Sequence, residues 1–236
     1  MHRFFVDSAD ICEDSLKIKG EEANHIKNVL RMQPGDAFTA FDGAGSDYMC
    51  RITDVGADVK AQITARVRNM CEPDIAVTLY QAYPKAAKME EIVQKAVELG
   101  VKAIVPFLSA RCVKRPKDVS RLRRVVLAAV KQCGRSLLPP VSDIKSFEDA
   151  TFQMKNHEAL IVCWEEEKHT ALKTALAGQA RDIGIVIGSE GGFTRGEVEA
   201  MQQAGGVSVT LGPRIMRTET AGIAVLAAVM YDKGQM

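Results

Sequence analysis

Two hydrophobic periods divide the chain. Over residues 3–68, apolar and polar positions alternate in short runs at 3–6, 15–18, 37–41, 48–53 and 59–67. Turn signals at Pro34-Gly-Asp, Asp42-Gly and Val55-Gly lie between them, so the runs predict strands of a small β-barrel or meander. One helix, over 21–31, is expected to interrupt them. From residue 75 the pattern changes to continuous apolar runs at 75–83, 103–107, 159–164, 183–187 and 207–209, separated by helical spacing. Over 85–99, for instance, Met89, Ile92, Val93, Ala96 and Val97 fall on one helical face, and Gly100 is placed to end it. Further helices are predicted over 120–133, 147–155, from Thr194 to Gly205, and over 221–230. Strand, helix and strand in this order make a βαβ unit and therefore a parallel sheet. The expected fold class is α/β, a parallel sheet preceded by a small β-barrel. The linker 69–74, with Pro73 closing the last short strand, puts the boundary between domains 1–72 and 73–236.

The chemistry gathers in two strand-to-helix connections. In Ile183-Gly-Ile-Val-Ile-Gly-Ser-Glu-Gly-Gly-Phe-Thr194, a β-branched run enters a glycine loop, and Thr194 with Glu197 has the spacing of a capping box. Val209-Thr-Leu-Gly-Pro-Arg-Ile-Met-Arg-Thr-Glu-Thr-Ala221 repeats the plan some twenty residues on, before an apolar run that predicts a buried helix. Open parallel sheets hold ligands outside the carboxyl ends of their strands, and two such loops can face one ligand. The chain has no Gly-x-x-x-x-Gly-Lys phosphate loop, no Gly-x-Gly-x-x-Gly fingerprint and no Gly-x-Ser-x-Gly elbow, which removes the best support for nucleotide hydrolysis, hydride transfer and serine acyl transfer.

The segments Gly-Ser-Glu-Gly-Gly-Phe193 and Leu211-Gly-Pro-Arg-Ile-Met-Arg-Thr-Glu-Thr-Ala resemble the two signature loops of the trefoil-knotted SPOUT methyltransferases. Within these they resemble the RsmE family, which methylates N3 of a uridine in bacterial small-subunit (16S) ribosomal RNA. Lys88 to Phe107 resembles the same family, and Asn24-His-Ile-Lys-Asn-Val-Leu-Arg31 matches a recurrent segment of its PUA-like N-terminal domain. Ser189 stands where the family usually has proline, and Met216 where it commonly has leucine. The resemblance implies a C-terminal trefoil knot, S-adenosyl-L-methionine as cofactor and a homodimer. It implies a cofactor pocket with Gly188, Ser189, Glu190 and Gly191 on one wall and Leu211, Gly212, Ile215, Met216 and Arg217 on the other. Methyl transfer to N3 of uridine removes an imide proton and leaves negative charge, which a positioned arginine would stabilise. Arg217 is the first candidate for this and Arg111 a further one. Ribose 2′-O-methylation by the same fold and a non-catalytic RNA-binding scaffold are the alternatives.

Charge sharpens the RNA expectation only through its distribution. The formal net charge of the 236 residues is +1. Residues 1–74 carry nine Lys/Arg against thirteen Asp/Glu, whereas 111–135 holds nine basic residues opposed by Asp118 alone. Such a cluster attracts RNA phosphate. The candidate RNA contacts are Arg3, Lys27, Arg31, Arg115, Arg121, Arg124 and Arg135, and the expected partner is 16S rRNA or the assembled small ribosomal subunit. Six scattered cysteines without a Cys-x-x-Cys pair, and four histidines without a His-x-x-x-His pair, suggest neither disulfides nor a metal. No apolar run approaches the ~20 residues of a membrane span, and the first residues lack a signal-peptide layout, so a cytoplasmic protein is expected.

Overall fold

The computed structural model describes residues 2–85, 87–113, 116 and 118–236. Contacts group the chain into two units, one of Met1–Glu72 with Val130–Leu138 and one of Pro73–Ala129 with Pro139–Met236.

The first unit is built on β1 (Arg3–Phe5), β2 (Ser15–Ile18), β3 (Ala37–Phe41), β4 (Ser46–Val55) and β5 (Val59–Arg68), in the order β1-β3-β4-β5-β2. Only β1 and β3 pair in parallel. Register shifts at Met49/Cys50 and Ile52/Asp54 interrupt the long β4–β5 hairpin, and such bulges bend a sheet over its core. That core holds Phe4, Ile18, Ile26, Phe38, Ile52 and Val59. The helix expected over 21–31 is in fact α1 (Gly20–Asn24) running into a π-helical turn, His25–Leu30, which Arg31 ends at φ 54°. Apolar spacing cannot separate the two helix types here, because both bring Ile26 and Leu30 inward. Residues 130–138, which belong to this unit, contribute Leu137, which bridges to Gly43 and Ala44.

A buried ionic network closes this unit. The Asp47 carboxylate accepts from Arg3 Nη1 and Nη2 (3.1 and 2.8 Å), Asn69 Nδ2 (2.9 Å) and the Ser136 hydroxyl. Glu72 accepts from Arg135 Nε and Nη2 (3.0 and 2.8 Å) and from the Ser136 and Leu137 amides (3.1 and 2.9 Å). Arg3 and Arg135, expected to meet RNA, are instead committed here, and Arg135 is only 3% exposed. Their acidic partners stand 44 and 63 positions away, too far for a local charge count to notice.

The second unit is a fully parallel sheet of β6 (Ala76–Ala82), β7 (Ala103–Phe107), β8 (Ala159–Cys163), β9 (Asp182–Ile187) and β10 (Gly206–Val209), in the order β10-β8-β9-β6-β7. Its helices are α2 (Lys88–Glu98), α3 (Ser120–Cys133), α4 (Phe147–Met154), α5 (Leu172–Leu176), α6 (Arg195–Gln203) and α7 (Thr218–Asp232). The short α5 gives no periodic signal and was not expected. Helix α7 is apolar on nearly every side because it packs against α2, β6 and β9. Gly184 interrupts the β-branched run of β9 for a steric reason: a Cβ there would sit 2.8 Å from the His157 ring. That imidazole bridges the Tyr80 hydroxyl (2.8 Å) and Asp182 (2.5 Å). No described helix is long and apolar enough to cross a membrane.

Candidate functional site

Three neighbouring strands, β10, β8 and β9, end on the same edge of the parallel sheet, and their loops border a cleft of about 590 Å³, its open mouth included. Cys163, Ile187, Ser189, Thr218 and Ala221 form its buried floor, and Glu165, Gly212, Arg214 and Ile215 its exposed mouth.

The loop after β9 is a tight turn. The Gly192 amide donates to the Ser189 carbonyl at 3.0 Å with Gly192 at φ +65°, a left-handed conformation that favours glycine. Phe193, 1% exposed, anchors the turn by stacking on Phe107 at 6.3 Å and 9°. The capping box then starts α6: Glu197 accepts from the Thr194 amide at 2.9 Å, and the Thr194 hydroxyl accepts from the Glu197 amide at 3.3 Å. The loop after β10 turns at Gly212, φ +99°, and leads to Arg217, whose extended backbone makes the N-cap of α7. That helix therefore begins at Thr218, three residues before the apolar run from which it was predicted.

Two ties hold these loops together from behind. Buried Gln81 donates to the Thr218 hydroxyl (2.9 Å) and the Gly188 carbonyl (3.4 Å), and Thr218 itself donates to Gly188 at 2.5 Å. Lys88 bridges Glu190 and Glu219, each at 3.1 Å, while the Lys85 amide donates to both Glu190 oxygens at 3.1 Å. Burial pushes the Glu190 carboxyl up, but its backbone donors and Lys88 outweigh that, and the net shift is downward. Glu190 thus stays an anion whose charge is spent on Lys88.

The third loop, 164–170, had no signature in the sequence. Glu167 shapes it, accepting from the His169 and Thr170 amides (2.8 and 3.1 Å) and the Ser208 hydroxyl (3.0 Å). These donors, the His169 amide first, lower its carboxyl to about 2. Trp164 and Glu165 enter the cleft from this loop. Their polar run with Glu166 and Glu167 reads as a solvated surface. The signal that could have found them is topological, since β8 lies between the two strands that carry glycine loops.

Of the expected wall residues, Gly188, Ser189, Leu211, Gly212, Ile215 and Met216 line the cleft. Glu190, Gly191 and Arg217 stand outside the lining: Glu190 is tied to Lys88, Gly191 receives a 2.9 Å hydrogen bond from Arg111 Nη1, and Arg217 is exposed beside the cleft-lining Met216 and Thr218. A polar ligand suits the cleft, because two of its lining residues carry buried polar atoms, Ser189 Oγ and Trp164 Nε1, without a hydrogen-bond partner among the described residues. No group of three His, Cys, Asp or Glu among the described residues is placed to hold a metal ion.

The basic stretch is less free than its composition. Arg123 pairs with Asp143 at 2.8 Å, Lys131 with Glu22 at 2.7 Å, and Arg121, 71% exposed at its side chain, with Glu90 at 2.9 Å. An exposed pair such as the last is worth at most about 1 kcal/mol and yields readily to a phosphate. Arg124, Lys27 and Arg31 are exposed. Arg115 lies outside the described residues.

Comparison with known proteins agrees with this geometry. The family model described as RNA methyltransferase domain matches residues 71–230, and that described as RNA methyltransferase PUA domain matches residues 18–61. A ribosomal RNA small subunit methyltransferase E from Bacillus subtilis is 33% identical, covering 98% of this chain and 97% of the relative. One from Mycobacterium bovis is 31% identical, covering 96% and 90%. The crystal structure of a ribosomal RNA small subunit methyltransferase E from Neisseria gonorrhoeae bound to S-adenosyl methionine aligns with a TM-score of 0.87 at 31% identity, covering 98% of this chain and 97% of that one. The curled first sheet and parallel second sheet are accordingly a PUA-like domain and a SPOUT methyltransferase domain. Matched along nearly its whole length, and carrying its cleft at the strand ends where such a fold binds ligands, the chain belongs to the ribosomal RNA small subunit methyltransferase E family.

Proposed function

We propose that the protein uses S-adenosyl-L-methionine to methylate N3 of a uridine in 16S rRNA of the small ribosomal subunit. The observation that carries this reading is the convergence of three strand-end loops on one partly polar cleft in a chain of this family. When bound, the cofactor supplies a methyl group activated on a sulfonium. Leu211, Ile215 and Met216 would cover its adenosine faces, while Gly188, Ser189 and Gly212 offer backbone and hydroxyl groups to its edges. Glu190 and Gly191 support this wall from behind, with Arg111 bracing the turn. Arg217, exposed at the rim, is the group we assign to the negative charge of the uracil ring. The knotted threading of the chain is part of this proposal. So is a division of labour in which residues 1–72 bind RNA and 73–236 carry out the transfer, with Lys27, Arg31, Arg121 and Arg124 meeting phosphate. A cytoplasmic homodimer fits too: Ile215, 78% exposed at the cleft mouth, is an apolar group that a second copy would cover.

Tritiated methyl transfer to unmodified 16S rRNA and to assembled small subunits, followed by nuclease digestion and mass spectrometry, tests the reading. 3-Methyluridine is the expected product. 2′-O-Methyluridine would move the activity to the ribose, and cofactor binding without incorporation into either substrate would leave only a scaffold.

Ser189 supplies a narrower prediction. Its hydroxyl has no hydrogen-bond partner among the described residues, so Ser189→Ala should leave the melting temperature of the free protein unchanged or slightly raised. The same change should weaken S-adenosyl-L-methionine binding about threefold to tenfold by calorimetry, the loss of one ordinary hydrogen bond. Unchanged affinity would remove Ser189 from the cofactor contacts.

A further inference from the structure

Among the described residues fifteen line the cleft, and two of them, Glu165 and Arg214, carry charge. Among the described residues, neither side chain belongs to an ion pair. Three nearby acids are already used, Glu190 and Glu219 sharing Lys88 and Glu167 holding its own loop, while the exposed Glu166 lies outside the lining. The Glu165 carboxylate reaches over the β9 turn, so close that a Cβ on Gly192 would meet its Oε1 at 2.0 Å. Arg214 enters from the loop after β10. The cleft therefore offers one anion and one cation at its open mouth, above a floor of apolar and neutral polar groups.

A free α-amino acid group has the opposite pair, an ammonium and a carboxylate on one carbon. We propose that Glu165 and Arg214 recognise the methionine end of S-adenosyl-L-methionine, Glu165 taking the ammonium and Arg214 the carboxylate. The assignment rests on the cofactor reading above. It accounts for the position of both charges at the mouth, where an ion pair to ligand needs less desolvation than on the floor. It also uses a fork-shaped guanidinium where a carboxylate must be gripped by two donors.

Calorimetry with four ligands tests it on the full chain: S-adenosyl-L-methionine, S-adenosylhomocysteine, decarboxylated S-adenosylmethionine and 5′-methylthioadenosine, which lacks the amino-acid end. Glu165→Gln should weaken the first three by about tenfold or more, the scale of a charge-assisted hydrogen bond, and leave 5′-methylthioadenosine within about twofold. Arg214→Gln should weaken the first two by a similar factor and leave the decarboxylated ligand and 5′-methylthioadenosine near their wild-type affinities. The proposal is overturned if either variant binds S-adenosyl-L-methionine as the wild type does, or if it loses 5′-methylthioadenosine equally, which would make that residue a shaper of the cleft. If the wild-type protein itself binds no S-adenosyl-L-methionine, the cofactor reading falls along with the proposal.

Discussion

Arg217→Ala is expected to lower methyl transfer to 16S rRNA about a hundredfold or more while changing the dissociation constant of S-adenosyl-L-methionine less than about twofold. The size follows from what one preorganised donor to a developing anion contributes, on the order of 10² to 10³ in rate. The split between turnover and binding follows from position. Arg217 is the N-cap of α7, between Met216 and Thr218, which line the cleft, yet it is exposed and outside the lining itself. Such a side chain faces whatever approaches from solvent, which in this reaction is the RNA. Its side chain makes no capping hydrogen bond, so truncation removes no cap, only the charge that helps to lower the Glu219 carboxyl. Arg217→Lys keeps the charge but loses the planar fork and should recover only part of the rate. A collapse of cofactor affinity in Arg217→Ala would instead make the residue part of the pocket wall.

Arg135→Met should destabilise the first unit by about 3 kcal/mol, read by urea denaturation. Removing one partner of a buried pair strands the other, which typically costs about 3–5 kcal/mol, and Glu72 keeps two backbone donors that place the loss at the lower end. The double variant Arg135→Met with Glu72→Gln should regain most of the stability, because it strands no charge and the new amide oxygen can still accept from the Ser136 and Leu137 amides. The same network sets an acid limit. Burial raises the Glu72 carboxyl, but Arg135 and the Leu137 and Ser136 amides outweigh it; Asp47 is likewise raised by burial and lowered further by Arg3, Ser136 and Asn69. Both therefore sit below their ordinary 4.5 and 3.8. Groups depressed in the folded state contribute stability that is complete above those ordinary values and is lost as pH falls through the lowered ones. Unfolding midpoints should accordingly be flat on this account above about pH 5 and decline below about pH 4, with the decline blunted in the double variant.

Much of this architecture was legible in the sequence, for physical reasons that differ by element. Strands β2, β3 and β7 and helix α3 fall on the expected residues because their apolar period ends at sharp turn or cap signals. The two glycine loops were legible because a turn such as that at Gly192 leaves little room for other residues. Pairing across the fold was not. Glu190 reads in the sequence as a cofactor-facing anion and Arg3 and Arg135 as RNA contacts, while their ties to Lys88, Asp47 and Glu72 join residues too distant along the chain for spacing to pair. Glu165 was hidden for the converse reason: a run of three glutamates resembles any solvated surface, and only the order of strands brings its first member to the cleft.

If the ends of β8, β9 and β10 form one cofactor site, a crystal of this protein grown with saturating S-adenosyl-L-methionine should show density for the ligand touching loops 163–165, 187–192 and 210–218 together. Density seated elsewhere on the chain, or a complex in which the 163–165 loop makes no contact, would contradict it.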